Sequence, residues 1–271
     1  MDTPKTVALS EFVGVEVLGR VQDYMNDRGK DVLYELFLQH RVLLFRNQEL
    51  DGEEQVRFAE MFGDPSRRDY MAKAEGGYAH ISNSRPDGIL SNGELFFHAD
   101  HCFYADPLKA ICLYAIEVPE SGGETKFADA AEALKRMPAE LRQRIEGRTG
   151  LHLYDYAGDY GNRMLEENTS ADAPRHEHPI VWRHPETGKE ILLVNKISTA
   201  KIMGLPRQEG DDLLEELASY VDNEDLTYCH KWRPGDLLIW DNRALQHARM
   251  DFDPSQKRTI RRVPLVEFGG V

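Results

Sequence analysis

The sequence predicts a mainly β domain, a sandwich or barrel decorated with helices. Short apolar runs of strand length lie towards both ends of the core, in "RVLLFRN", "KAICLYAIEV", "EILLVNKIS" and "WRPGDLLIWDN". Insertions separate these runs, as they do in β-cores whose connections pass over the outside. No internal repeat, low-complexity tract or Pro/Gly/Ser-rich linker divides the 271 residues, so one domain over 1–271 is expected.

Taken in order, "DVLYELFLQH" (31–40) spaces its apolar residues as a helix does, and "RVLLFRN" follows as a buried strand. Asp51, with Glu54 three residues on, makes a capping box for a helix that Gly63 ends. "KAICLYAIEV" (109–118) is a strand leading into the turn "PESGGET". Asp129 caps a helical stretch that Pro138 interrupts and Gly147 closes. "EILLVNKIS" (190–198) reads as a strand and "GDDLLEELASYV" (210–221) as an amphipathic helix. "WRPGDLLIWDN" (232–242) is a turn feeding a buried strand. Helices thus fall mostly in the first half and around the edges. Residues 155–178 are polar, rich in turn formers and poorly periodic, which predicts a lid, a binding loop or a disordered insert.

With 41% hydrophobic residues the chain can bury a substantial core. A formal net charge of −14 argues against nucleic-acid partners and against docking on anionic lipid, both of which need basic surface. It leaves room for a local basic pocket. The three cysteines, Cys102, Cys112 and Cys229, form no C-x-x-C pair, which fits a reducing compartment and supports neither a disulfide framework nor a thiolate metal site. "MDTPKTVALSEF" lacks the apolar stretch of a signal peptide, and no run approaches the roughly 18 apolar residues of a spanning helix. The expectation is a soluble cytoplasmic protein acting on a small molecule, with no membrane or nucleic-acid partner; a homo-oligomer is compatible with the composition.

The chemistry-bearing stretch is "GELFFHADHCFYADP" (93–107). On a strand, residues i and i+2 share a face, so His98 and Asp100 would point together with His101 turned away. The pair is weak evidence alone. Ten histidines and 47 acidic residues in 271 give about 1.7 His-x-Asp/Glu triplets by chance, and the chain holds two. The other, His184-Pro185-Glu186, sits in a turn, and His176-Glu177-His178 falls in the polar 155–178 loop.

His247, shortly after the strand in "GDLLIWDN", offers a third ligand. Two imidazoles and a carboxylate on one side of an ion leave three positions open, the facial arrangement of non-haem Fe(II) oxygenases. A lone satisfied core histidine is the alternative reading of His247. Gly122-Gly123-Glu124-Thr125 follows the central strand, where glycines let backbone approach a ligand. In "DPSQKRTIRR", a strand would put Arg258, Ile260 and Arg262 on one face and Lys257, Thr259 and Arg261 on the other. An arginine fork in a pocket grips a carboxylate; a solvated basic edge is the alternative.

Over nearly its whole length the chain resembles the taurine dioxygenase (TauD/TfdA) family of Fe(II)- and 2-oxoglutarate-dependent oxygenases. The resemblance lies in "HRVLLFRNQEL", "FAEMFGDP", "HADHCFYADPLKAICLYAIEVPESGGETKFADA" and "WRPGDLLIWDNRALQHARMDFDPSQKRTIRR", in that order and spacing. It implies a double-stranded β-helix, the cupin-like jelly roll with helices outside. It also implies His98, Asp100 and His247 as iron ligands, with Thr125 and Arg258 holding the distal carboxylate of 2-oxoglutarate. Arg262 matches a position that contacts the substrate's acidic group in sulfonate-using relatives. Glu94 replaces a neutral polar substrate-binding residue of taurine-using members, and Ile197 stands where they tend to carry an aromatic, so taurine itself is not expected.

The activity implied is decarboxylation of 2-oxoglutarate to succinate and CO₂, coupled through O₂ to hydroxylation of an aliphatic C–H in a small acidic molecule. Asp100 fills the position a halide takes in halogenating relatives, so oxygenation is expected. A non-catalytic jelly-roll binding protein and a Zn-dependent cupin-like hydrolase are the alternatives; neither needs a dicarboxylate clamp.

Overall fold

The computed structural model describes residues 4–90, 92–155 and 163–270. The strands used below are β1 (Val42–Phe45), β2 (Ala79–Ser82), β3 (Leu95–His98), β4 (Ala110–Glu117), β5 (Thr125–Asp129) and β6 (Thr149–Leu153). They continue as β7 (Arg175–Pro179), β8 (Thr199–Ile202), β9 (Thr227–His230), β10 (Leu237–Asp241), β11 (Leu245–Arg249) and β12 (Thr259–Val266). The helices are α1 (Asp27–His40), α2 (Gly52–Ala59), α3 (Ala130–Lys135), α4 (Ala139–Ile145) and α5 (Arg207–Val221).

A nine-stranded, mostly antiparallel sheet has β1, β10, β4, β12 and β2 as consecutive neighbours at its centre. A four-stranded antiparallel sheet, in the order β9-β5-β11-β3, faces it. Between them pack Leu44, Ile111, Leu113, Trp240 and Ile260 of the large sheet with Phe127 and Leu245 of the small one. The alternate residues of the large sheet point the other way. Leu43, Phe45, Cys112 and Ile239 meet Leu33 and Phe37 of α1, Phe58 of α2 and Phe62 just beyond it. Both faces of these strands are therefore buried, which is why they read as unbroken apolar runs although the pairing is antiparallel. Helices α3, α4 and α5 cover the outside of the small sheet, where Leu134, Leu141, Leu213 and Leu217 pack with Ala128. This is the jelly roll with external helices.

Local rules account for the helix ends. Asn26 caps α1 through a bond from Gly29 N, so the helix begins four residues before the expected 31. The Asp51–Glu54 capping box is complete in both directions. Gly63 does not end α2, which stops at Ala59; a Cβ there would lie 2.3 Å from Val266 O, so the residue serves a close backbone approach. Pro138 separates α3 from α4 as its missing N–H requires.

Two expectations need correction. The strand expected over 190–198 stops at Leu192, because the Asn195 side chain accepts bonds from Ile197 N and Ser198 N and folds that segment into a turn before β8. Within 155–178, residues 156–162 lie outside the described residues, and the segment ends in strand β7, paired with β6. His176 and His178 thus lie on a strand, where their polar side chains hid the alternation. Three of the five helices, α1, α2 and α3, lie in the first half of the chain as expected, with α4 and α5 in the second. Among the described residues no helix is long and apolar enough to cross a membrane.

Candidate metal and cosubstrate site

His98 and His247 face each other as directly paired residues across β3 and β11, with ring centroids 4.2 Å apart. Strand β3 ends at His98, so Asp100 lies in the turn beyond it and not on the strand face expected for it. The turn nevertheless returns its carboxylate to the pair. Asp100 Oδ1 lies 3.4 Å from His98 Nε2, and Oδ2 lies 3.9 Å from His247 Nε2. One donor atom from each residue falls within 4.8 Å of the others, the only such group of His, Cys, Asp and Glu found among the described residues.

The tautomers suit ligation. His98 Nδ1 is 2.7 Å from Phe96 O, so Nδ1–H donates to that carbonyl and turns Nε2 towards Asp100. Among the described residues none hydrogen-bonds the buried Nδ1 of His247; its ring is set by packing 4.8 Å from Trp240. Burial, together with His98, pushes the His247 imidazole down to about 3, so it is neutral and able to donate a lone pair. Burial would raise the Asp100 carboxyl, but Arg262, with its Nη2 at 2.7 Å, and the two imidazoles hold it well below the usual carboxylate range. Two imidazoles and a carboxylate on one side of an open cavity fit a divalent transition metal with free positions.

That cavity, about 270 Å³, lies between the two sheets and holds Arg258 as well. Arg258 is only 3% exposed, and Nε and Nη2 each lie 3.2 Å from Gly123 O. Among the described residues no carboxylate pairs with it. Burial and neighbouring Arg249 pull its guanidinium down to about 9, still charged at neutral pH. A buried cation without a counter-ion is costly unless a ligand supplies one. Thr125 is buried beside the cavity, its Oγ1 accepting from Trp232 Nε1 at 3.0 Å, which leaves its own proton to donate.

The glycine pair is explained by two approaches. Gly122 and Gly123 have φ of +79° and +69°; a Cβ on the first would lie 2.5 Å from Asp251 O, and on the second 3.0 Å from Arg258 Nε. Gly123→Ala should displace the guanidinium and raise the cosubstrate KM several-fold while lowering stability by about 1 kcal/mol or more, since alanine resists positive φ. Steady-state kinetics with thermal melts check both.

Of the other expected residues, Ile197 lines the cavity and Arg262 reaches it from β12, on the Arg258 side as expected. Arg261 points away, into bonds with Gln55 and the carbonyls of Leu50 and Asp51. Glu94 is exposed and borders a separate, smaller depression with Phe96 and Lys126, so the structure does not bring it to the cavity. His101 lines the cavity wall but pairs with Asp69 at 3.5 Å, outside the ligand group. His184 donates to Asp241 at 2.9 Å, a satisfied core histidine.

Sequence reasoning passed over Arg249, Phe103 and Tyr154. Arg249 lines the cavity and is tied by four bonds to the carbonyls of Leu90, Asn92 and Gly93. Its position two residues after His247, on the same strand face, was the available signal. Phe103 and Tyr154 stack at 5.1 Å with planes 10° apart on the cavity wall. Nothing in their spacing links them.

Residues 6–263 match the Taurine catabolism dioxygenase TauD, TfdA family. The chain is 32% identical to an (S)-phenoxypropionate/alpha-ketoglutarate-dioxygenase of Sphingobium herbicidovorans, over 93% of this chain and 91% of that protein. It is 30% identical to an alkylsulfatase of Acinetobacter baylyi, over 95% and 83% of the two chains. A crystal structure of AAD-2 with Mn(II) and N-oxalylglycine superposes with a TM-score of 0.82 at 25% identity, over 98% of each chain.

Proposed function

We propose, for a chain that belongs to the TauD, TfdA family of 2-oxoglutarate-dependent dioxygenases, that His98, Asp100 and His247 hold Fe(II) and that Arg258 and Thr125 clamp 2-oxoglutarate. The enzyme is an oxidoreductase using Fe(II), 2-oxoglutarate and O₂. The match over 6–263 supports one catalytic domain. The observation that carries the site assignment is the sharing of one cavity by a two-imidazole, one-carboxylate group and a buried guanidinium that lacks an acid.

Bound iron, cosubstrate and O₂ supply the oxidising chemistry, yielding succinate, CO₂ and an oxygenated substrate carbon. The protein's own groups do the rest. Arg258 and Thr125 orient the distal carboxylate by charge-assisted hydrogen bonds. The β3–β11 ladder fixes the imidazoles. Ile81, Leu113 and Trp240 keep water from the reacting face.

The charge balance supports an acidic substrate. Among the described residues Arg249, Arg258 and Arg262 face the cavity with one carboxylate, Asp100. The charges of Fe(II) and the 2-oxoglutarate dianion cancel, so three cations less one anion leave an excess of two positive charges. Leu90, Leu95, Ile197 and the stacked Phe103–Tyr154 pair supply an apolar wall. The substrate is therefore read as a small carboxylate, sulfonate or sulfate ester with an apolar body. The relatives named for phenoxypropionate and sulfate esters support this. Glu94 faces elsewhere, so it gives no support to a substrate amine. Asp100 supports oxygenation over halogenation.

Anaerobic protein with Fe(II) should develop a weak visible charge-transfer band on adding 2-oxoglutarate. Its absence at saturating cosubstrate would overturn the assignment. Succinate release across a panel of carboxylates, sulfonates and sulfate esters then tests the substrate class, with amines and neutral alcohols as the contrary outcome.

A further inference from the structure

His98 and His247 are held by the ladder they share, whereas Asp100 sits in a turn with no strand beside it. Arg262 pairs with its carboxylate, and what holds its main chain is a side chain from the other sheet's border. Asn242, fully buried just after β10, accepts from Asp100 N through Oδ1 at 2.9 Å. Its Nδ2 donates to Asp100 O at 3.0 Å and to Leu108 O at 2.8 Å. One amide thus satisfies both main-chain polar groups of Asp100, as a neighbouring strand would, and ties that turn to the entry of β4. Asn242 is itself anchored: its N–H donates to Lys109 O at 3.0 Å. The adjoining Asp241 carboxylate accepts from Arg243 N, Ala244 N and His184 Nε2.

We propose that Asn242 is the positioning residue for the carboxylate ligand, setting where Asp100 meets the metal without touching metal or substrate. The proposal rests on the reading of His98, Asp100 and His247 as the metal site. Outer groups of this kind tune metal affinity by about 10- to 100-fold.

The test uses the full metal-free chain titrated with Co(II), followed by its visible d–d spectrum. Asn242→Ala should raise the Co(II) dissociation constant about 10- to 100-fold and change the shape of the bound-ion spectrum. Asn242→Ser, which can remake one of the three bonds, should fall between. A purely structural role would lower the thermal midpoint while leaving affinity and spectrum at wild-type values, and that result overturns the proposal. Should neither variant fold, wild-type hydrogen exchange decides. The Asp100 amide should be protected in metal-free protein; fast exchange there overturns the proposal without any substitution. Wild-type protein that binds no Co(II) would instead overturn the metal reading itself.

Discussion

His98→Ala and Asp100→Ala should each abolish succinate release and sharply weaken metal binding. In four-ligand structural zinc sites an apparent binding energy of about 10–16 kcal/mol corresponds to about 2.5–4 kcal/mol per ligand, roughly 70- to 900-fold in affinity, and a loss of that order is expected here. Activity should fall further, because any metal still bound would sit in altered geometry. The two variants differ in one respect. Asp100→Ala also takes the acid from Arg262, whose Nη2 lies 2.7 Å from it, and so adds a half-buried charge imbalance that His98→Ala does not. His101→Ala is the contrasting case: its ring pairs with Asp69, so metal affinity should stay within a few-fold of wild type. Metal titrations of the three variants check the set. Loss of the metal in His101→Ala alone would show that the ligand assignment is wrong.

Arg258→Met should raise the dissociation constant for 2-oxoglutarate about 30- to 4,000-fold, the equivalent of the about 2–5 kcal/mol lost when one partner of a buried charge pair is removed. The same substitution should leave the melting temperature of the ligand-free protein unchanged or higher. Among the described residues the Arg258 guanidinium meets the Gly123 carbonyl and the Phe252 ring but no acid, so removing it relieves a desolvation cost. Opposite signs in the two measurements are the signature of a ligand-holding residue. A fall in stability with unchanged cosubstrate affinity would mark Arg258 as structural. Arg258→Lys keeps the charge without the fork and should recover only part of the affinity.

Much of this was legible in the sequence because it follows short-range rules. The Asp51 capping box, the break at Pro138 and the apolar runs of β1, β4 and β10 depend on neighbours in the chain, and they stand where periodicity put them. The alternation from Arg258 to Arg262 separated the cavity face from Arg261 correctly. What escaped depends on contacts made at a distance. Asp100 reaches its position through a turn closed by Asn242, 142 residues away, not through the strand periodicity argued for it. Glu94 was placed by its separation from His98, but β3 begins at Leu95 and turns that carboxylate outward. The β7 histidines were hidden because a half-exposed strand of charged and polar residues carries no apolar alternation.

The stacked Phe103–Tyr154 wall has a consequence for how such an enzyme changes over time. His98, Thr125, His247 and Arg262 stand on strands, whereas Leu90, Phe103, Tyr154 and Ile197 come from the connections between them. Replacing a connection residue alters the shape offered to a substrate and leaves the ladder pairings untouched. Asp100 and Arg258 lie just off strand ends, but the other reactive residues are thereby insulated from change, while the selective half is free to drift. Substitutions at Leu90, Phe103, Tyr154 or Ile197 should therefore change which substrate is taken while leaving metal and cosubstrate affinity near wild type.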